Sequence, residues 1–166
     1  MSGLKGIVFH WTAGAAKASG LDKQHYHYLV QQDGTVVPGK YHPEDNISAT
    51  DGKYAAHTLK ANTGRIGVAV CGMMGAVERP FSAGPSPITW SQITVLVGLL
   101  ADLCRRYDIP VERRTVLSHA EVQPTLGIAQ RGKWDIAWLP GMAVAGDPVE
   151  IGDRIRADVI KHMKGV

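Results

Sequence analysis

Two short apolar runs, Leu4–Phe9 and Arg65–Gly72, constrain this chain more than anything else in it. The first reads as a buried strand that ends at His10. The second, partly β-branched and bounded by glycines, reads as a central strand. Buried strands need other layers to cover them, and the sequence supplies helices for that task. Thr89-Trp90-Ser91-Gln92 is a capping-box pattern. After it, Ile93, Leu96, Val97, Leu100, Leu103 and Tyr107 fall on one helical stripe, which predicts packing against the core. Asp147 followed by Pro148 predicts a second helix start, and Ile151, Ile155, Val159 and Met163 continue it at i, i+4 spacing.

Between these elements, Tyr26–Gln32, an Asp33-Gly34 turn and Thr35–Pro38 predict a hairpin. Thr12–Gln24 offers one or two helical turns. Residues 39–64 read as a long irregular loop, and loops of that length in compact domains usually carry function. Met73–Pro87 is a Gly/Pro/Ser-rich connection, and Thr115–Ser118 a short strand. With no repeat or linker, the expectation is an α/β single domain over 1–166, a mixed central β-sheet flanked by α-helices.

The formal charge of +3 and pI near 8.9 favour an anionic polymer as partner without choosing one. There is no block of like charges and no basic–aromatic interleaving, which speaks against nucleic acid. No run approaches the roughly 18 apolar residues of a membrane span, so membrane insertion is not expected. The N-terminus lacks the apolar region of a signal peptide, which predicts synthesis and retention in the cytoplasm unless another agent exports the chain. Cys71 and Cys104 read as buried free thiols. We expect a monomer.

The chemistry concentrates in Leu117-Ser118-His119-Ala120-Glu121 through Gly132-Lys133-Trp134-Asp135, a segment that reads as rich in loop. His119 and Asp135 are residue types that zinc accepts, and His10 supplies a third. On spacing alone a second reading stays open: His119 as an ordinary polar residue at a strand end and Asp135 as a helix N-cap. No short zinc motif decides between them.

The blocks Phe9-His10-Trp11-Thr12, Tyr26-His27-Tyr28-Leu29-Val30, Ala55-Ala56-His57-Thr58, Ile66-Gly67-Val68, Ser118-His119 and Lys133-Trp134-Asp135 together resemble the type-2 N-acetylmuramoyl-L-alanine amidase family. The family includes phage lysozyme-type amidases, cytosolic wall-recycling amidases and peptidoglycan-recognition proteins. The resemblance runs in order from about residue 5 to residue 137. It implies hydrolysis of the amide between N-acetylmuramic acid and the L-alanine of the stem peptide. It further implies one zinc ion (Zn2+) per chain, held by His10, His119 and Asp135, with Lys133 beside the scissile carbonyl.

Some relatives place a glutamate in the strand after Ile-Gly, where this chain has Ala69. Others use a tyrosine that matches Tyr26, which the resemblance therefore makes the proton-handling residue. His57, Thr58 and Trp11 match substrate-groove positions, with Trp134 a further lining residue, and Glu121 is a candidate to orient a ligand histidine. His25, His27, His42 and His162 are not expected to bind metal. The implied partner is peptidoglycan or a muropeptide. A phage-type endolysin released through a holin is the expected setting, a recycling amidase its close variant. A non-catalytic peptidoglycan-binding module is the competing class, and Ala69 is the feature that favours it.

Overall fold

Side chains at alternate positions of a strand face opposite sides of the sheet, and in this chain the two sides receive very different residues. The computed structural model describes residues 2–165. Among them five strands run in chain order β1 (Gly6–Trp11), β2 (Tyr28–Val30), β3 (Val36–Pro38), β4 (Arg65–Val70) and β5 (Val116–Ser118). Side by side their order is β3-β2-β4-β1-β5. β1, β2, β4 and β5 are parallel, and β3 joins antiparallel to β2 as the predicted hairpin. The helices are α1 (Gly20–His25), α2 (Trp90–Tyr107), α3 (His119–Leu126) and α4 (Pro148–Met163), and a 3-10 turn spans Pro43–Ile47 within the long loop.

One face of the sheet is oily. Ile7, Phe9 and Trp11 of β1 and Ile66, Val68 and Val70 of β4 pack into one core with Ile93, Leu96 and Leu100 of α2 and Ile151, Ile155 and Val159 of α4. The predicted α2 stripe is buried throughout, Tyr107 included. Ile7 and Phe9 have no exposed surface, and complete burial stabilises such side chains by about 1.5–3 kcal/mol each. The capping box forms as the sequence predicts, Thr89 Oγ1 accepting from Gln92 N–H and Gln92 Oε1 from Thr89 N–H. Gln92 Nε2 also donates to the carbonyls of Val30 and Cys71, pinning the start of α2 to the ends of β2 and β4.

The opposite face holds the alternate residues. Val8 forms a small second core with Leu117 and Val122. His10, Gly67 and Ala69 occupy the rest. Gly67 is required there, because a Cβ would strike the His57 ring. This face is covered by α3 at one end and by the His57 loop over Gly67, and the cleft opens beside them, lined by His57, His119 and Asp135.

One element departs from the sequence expectation. The segment that reads as loop-rich opens with a two-turn helix, α3, whose first residue is His119. Ser118-x-x-Glu121 is the same signature that marks α2, and Glu121 Oε2 accepts from Ser118 N–H at 2.7 Å. Pro124 inside the helix, with little apolar periodicity around it, conceals the element.

Candidate metal centre and its cleft

Register brings distant residues together. Phe9 pairs with Ser118 across β1 and β5, so the residues that follow, His10 and His119, emerge side by side at the strand ends. His10 in turn pairs with Ala69 on β4. Asp135 arrives on the loop after α3, docked by its own carbonyl, which accepts the Ala120 N–H at 2.6 Å. His10 Nδ1 lies 3.1 Å from His119 Nδ1 and 3.2 Å from an Asp135 oxygen, and His119 Nδ1 lies 3.5 Å from the other oxygen. All three residues are buried, and one ligand atom from each falls within 4.8 Å of the others.

The surrounding hydrogen bonds decide where the imidazole protons sit. Gln130 Nε2 donates to Leu59 C=O at 2.9 Å, which turns its Oε1 toward His119 Nε2 at 2.7 Å. An oxygen of this kind only accepts, so His119 carries its proton on Nε2. His57 Nε2 faces Arg65 C=O at 3.2 Å and donates to it, leaving His57 Nδ1 to accept from the Thr58 hydroxyl at 2.7 Å. His10 Nε2 lies 3.4 Å from both Thr58 Oγ1 and His57 Nδ1, while its Nδ1 faces an Asp135 oxygen at 3.2 Å, so acceptors meet both of its nitrogens. His119 therefore points an unprotonated Nδ1 at Asp135, and His10 has an acceptor for an Nε2 proton whenever a cation takes its Nδ1.

Electrostatics reinforce this arrangement. Burial outweighs the attraction of Asp135 and lowers the His10 pKa to about 4, so the ring is neutral at pH 7. Burial would also raise the Asp135 carboxyl, but hydrogen bonds and charge from His10 and His119 more than offset it, and it stays well below the usual carboxylate range. Two imidazole nitrogens and a carboxylate thus converge on one point, a geometry that a shared proton or a cation holds together. Its donors, two imidazoles and one oxygen, suit zinc.

Above the group lies a cleft of about 760 Å³. Trp11, Tyr26, His57, Thr58, His119, Lys133, Trp134 and Asp135, all singled out in the sequence, line it. His10, with no exposed surface, lies beneath this lining. The Tyr26 ring centroid stands 5.1 Å from that of His10. Tyr26 caps the end of α1 rather than opening β2, which starts at Tyr28. Burial raises its phenol far above the ordinary value, so it holds its proton and acts as a donor. Trp11 and Trp134 meet edge to face at 4.6 Å, and Phe81 supports Trp134 from behind at 6.3 Å.

His57 is 5 % exposed and hydrogen-bonded inward, so its ring serves His10 as well as the cleft wall. His27 is a structural histidine, accepting from Gly67 N–H and donating to Asn46 Oδ1. Glu121 does not reach a histidine. It pairs with Arg156 of α4 at 2.7 Å and, through Ser118, caps the helix that carries His119. The residue that does orient His119 is Gln130, which sequence reasoning misses, because a lone glutamine in a glycine-flanked loop carries no motif.

Fold and site define a class, an α/β domain whose cleft gathers a buried His–His–Asp group able to hold a metal ion. The chain belongs to the N-acetylmuramoyl-L-alanine amidase family, whose sequence profile matches residues 2–141, and amidase is the enzyme class this assigns. The N-acetylmuramoyl-L-alanine amidase LysC from Clostridium intestinale URNW superposes with a TM-score of 0.55 at 20% identity, over 96% of this chain and 89% of its own. A mutant form of PlyL gives 0.52 at 20%, covering 98% and 85%. The complex of peptidoglycan recognition proteins LCa and LCx with tracheal cytotoxin gives 0.51 at 17%, covering 86% and 78%. At these identities the likeness is one of fold. No curated protein matches by sequence.

Proposed function

We propose that this chain hydrolyses the amide between the lactyl group of N-acetylmuramic acid and L-alanine in peptidoglycan, using one zinc ion held by His10, His119 and Asp135. The observation that carries the metal assignment is the convergence of two imidazole Nδ1 atoms and a carboxylate beneath the cleft. A zinc ion there would supply Lewis acidity toward the amide carbonyl and the attacking water.

The protein's own residues do the rest. Gln130 fixes the His119 tautomer and Thr58 offers an acceptor for a His10 Nε2 proton, as outer hydrogen bonds commonly do around metals. Asp135 stays ionised and His10 neutral, the states a metal requires. Tyr26, holding its proton beside His10, donates a hydrogen bond into the cleft. Lys133 makes no ion pair among the described residues, which leaves its ammonium available to the negative charge that develops on the amide oxygen. The Trp11–Trp134 wall and Thr58 contact the sugar and peptide. The setting is that of a phage-type endolysin. One fold relative, LysCS from Clostridium intestinale URNW, is described as an endolysin amidase.

A second reading rests on Ala69. It lies in register beside His10, so a carboxylate at this position would stand at the metal group, and this chain offers a methyl. On that reading the fold recognises peptidoglycan without cutting it. Digestion of purified peptidoglycan by the zinc-loaded and chelator-treated protein, with products read by mass, separates the two. Peptides beginning with L-alanine, formed only with zinc, establish the amidase. Wall binding without cleavage in either state overturns it.

A further inference from the structure

The end of the sheet away from the cleft carries charge that neither the core nor the proposed reaction uses. β4 opens with Arg65, on the same face as Gly67 and Ala69. At about 3.3 Å of rise per residue it stands roughly 13 Å from Ala69. The His57 ring fills the space between, over Gly67. Gly6 of β1, paired with Arg65, gives this side chain its path. Arg65 Cγ and Thr115 Cα each lie 3.6 Å from where a Gly6 Cβ would stand, so the arginine stem crosses β1 toward the start of β5. Arg114, the residue before Thr115, reaches the same face, because its Nη1 donates to the Thr125 carbonyl near the end of α3 at 2.9 Å.

The two guanidiniums lack what a structural arginine normally has. Arg65 is half-buried, and its Nε–H is buried with no acceptor among the described residues. Neither arginine makes an ion pair among the described residues. Burial lowers the Arg65 guanidinium below its ordinary pKa, and the like charge of Arg114 lowers it further. An arginine keeps its charge through such a shift. A stranded donor and a pair of like charges each cost stability, and no carboxylate of the described fold is paired with either residue to offset them.

We propose that Arg65 and Arg114 form a phosphate-binding site at the end of the sheet away from the cleft, for a phosphate group either free in solution or carried on a phosphodiester polymer. A phosphate between them turns the repulsion into two attractions, and each guanidinium fork matches its oxygens two at a time. Arg114 spends one of its five N–H donors on Thr125, which leaves the others for the anion. Neither arginine lines the cleft, so the site stands apart from the amidase reading.

Inorganic phosphate titrated into the full-length chain tests this, against chloride at matched ionic strength. The Arg65 Nε–H belongs to the delocalised guanidinium, and burial slows its exchange with water, so its NMR signal reports binding directly. Its shift is expected to saturate with a dissociation constant of about 10 mM, and phosphate at about 100 mM then raises the melting temperature by roughly 3–6 °C. Phosphate also stabilises folded proteins by exclusion from their surface, so the reading is the difference from Arg65→Met, which keeps the apolar stem. Arg65→Met should lose the specific part of the rise and melt no lower than wild type in chloride, because it removes the stranded donor and the repulsion together. A shift that climbs linearly with phosphate, an equal rise in Arg65→Met, a lower melt of that variant in chloride, or shifts confined to the cleft overturns the site. A glycerol-phosphate oligomer identifies the source: tighter binding per phosphate than the free ion assigns a group carried on a polymer, and binding of the free ion alone assigns a soluble one. None of these readouts uses turnover, so this site and the amidase reading fail separately.

Discussion

Replacing Gln130 by leucine removes the two hydrogen bonds that hold His119 in the tautomer the proposed zinc site needs, while keeping a side chain of similar bulk. Gln130 is 3 % exposed, and its bonds to His119 Nε2 and Leu59 C=O are 2.7 and 2.9 Å long. Water therefore does not readily take its place. Each polar group left without a partner in such surroundings costs about 1–3 kcal/mol. Part of that loss falls on folding, and part on zinc, because His119 is then free to carry its proton on Nδ1. Losing a partner of this kind typically weakens metal binding about 10- to 100-fold, roughly 1.4–2.7 kcal/mol. Competition with a chromophoric chelator at neutral pH measures the second part, and thermal melting of the metal-free protein measures the first. A melting temperature that falls while zinc affinity stays within about threefold of wild type would make Gln130 a packing residue and refute the tautomer argument.

Other outcomes follow from the same geometry. His10→Ala or Asp135→Ala should lose bound zinc, as read by metal analysis after gel filtration; full occupancy in either contradicts the ligand set. Lys133→Ala should keep its zinc and lose roughly 10²- to 10³-fold in kcat, whereas near-normal turnover removes its role at the oxyanion. Burial holds the His27 pKa at about 4 against an ordinary value of 6.5, so between these values the unfolded chain binds the extra proton. Stability from His27 is then complete above about pH 6.5 and falls toward pH 4, by an amount on the order of 3 kcal/mol. Urea midpoints across that range check it, and a His27→Gln variant with the same pH slope as wild type counts against it. Arg156→Leu should destabilise by about 3–5 kcal/mol by stranding the buried Glu121 charge, with the paired change Glu121→Gln/Arg156→Met costing less in the same melt.

Elements whose packing shows in their own periodicity are legible in the sequence. The α2 stripe, the Asp147-Pro148 start of α4, the central β4 and the hairpin all lie where local pattern puts them. The site is not legible in that way. His10 and His119 are 109 residues apart, and only the β1–β5 pairing makes them neighbours. Resemblance to a family supplies what spacing alone leaves open. Thr58 matches a groove position in sequence, but its hydroxyl also sits between His57 and His10, a role that depends on which way two rings face. Glu121 looks like a partner for a histidine because it lies two residues after one. On a helix, however, residues two apart do not face each other, and Glu121 turns to α4 instead.

That turn bears on how this domain can be cut and joined. The segment the family profile matches stops at residue 141, before α4 begins at Pro148. Yet Arg156 on α4 donates to both Val116 C=O and Glu121, the start of one strand and the cap of the helix that begins with His119. Gly152 lets the two helices approach so closely that a single Cβ there would run into the Glu121 carboxylate. A fusion or truncation drawn at the edge of the family match would keep every proposed ligand and remove the brace behind one of them. The transplantable unit is the cleft together with its last helix.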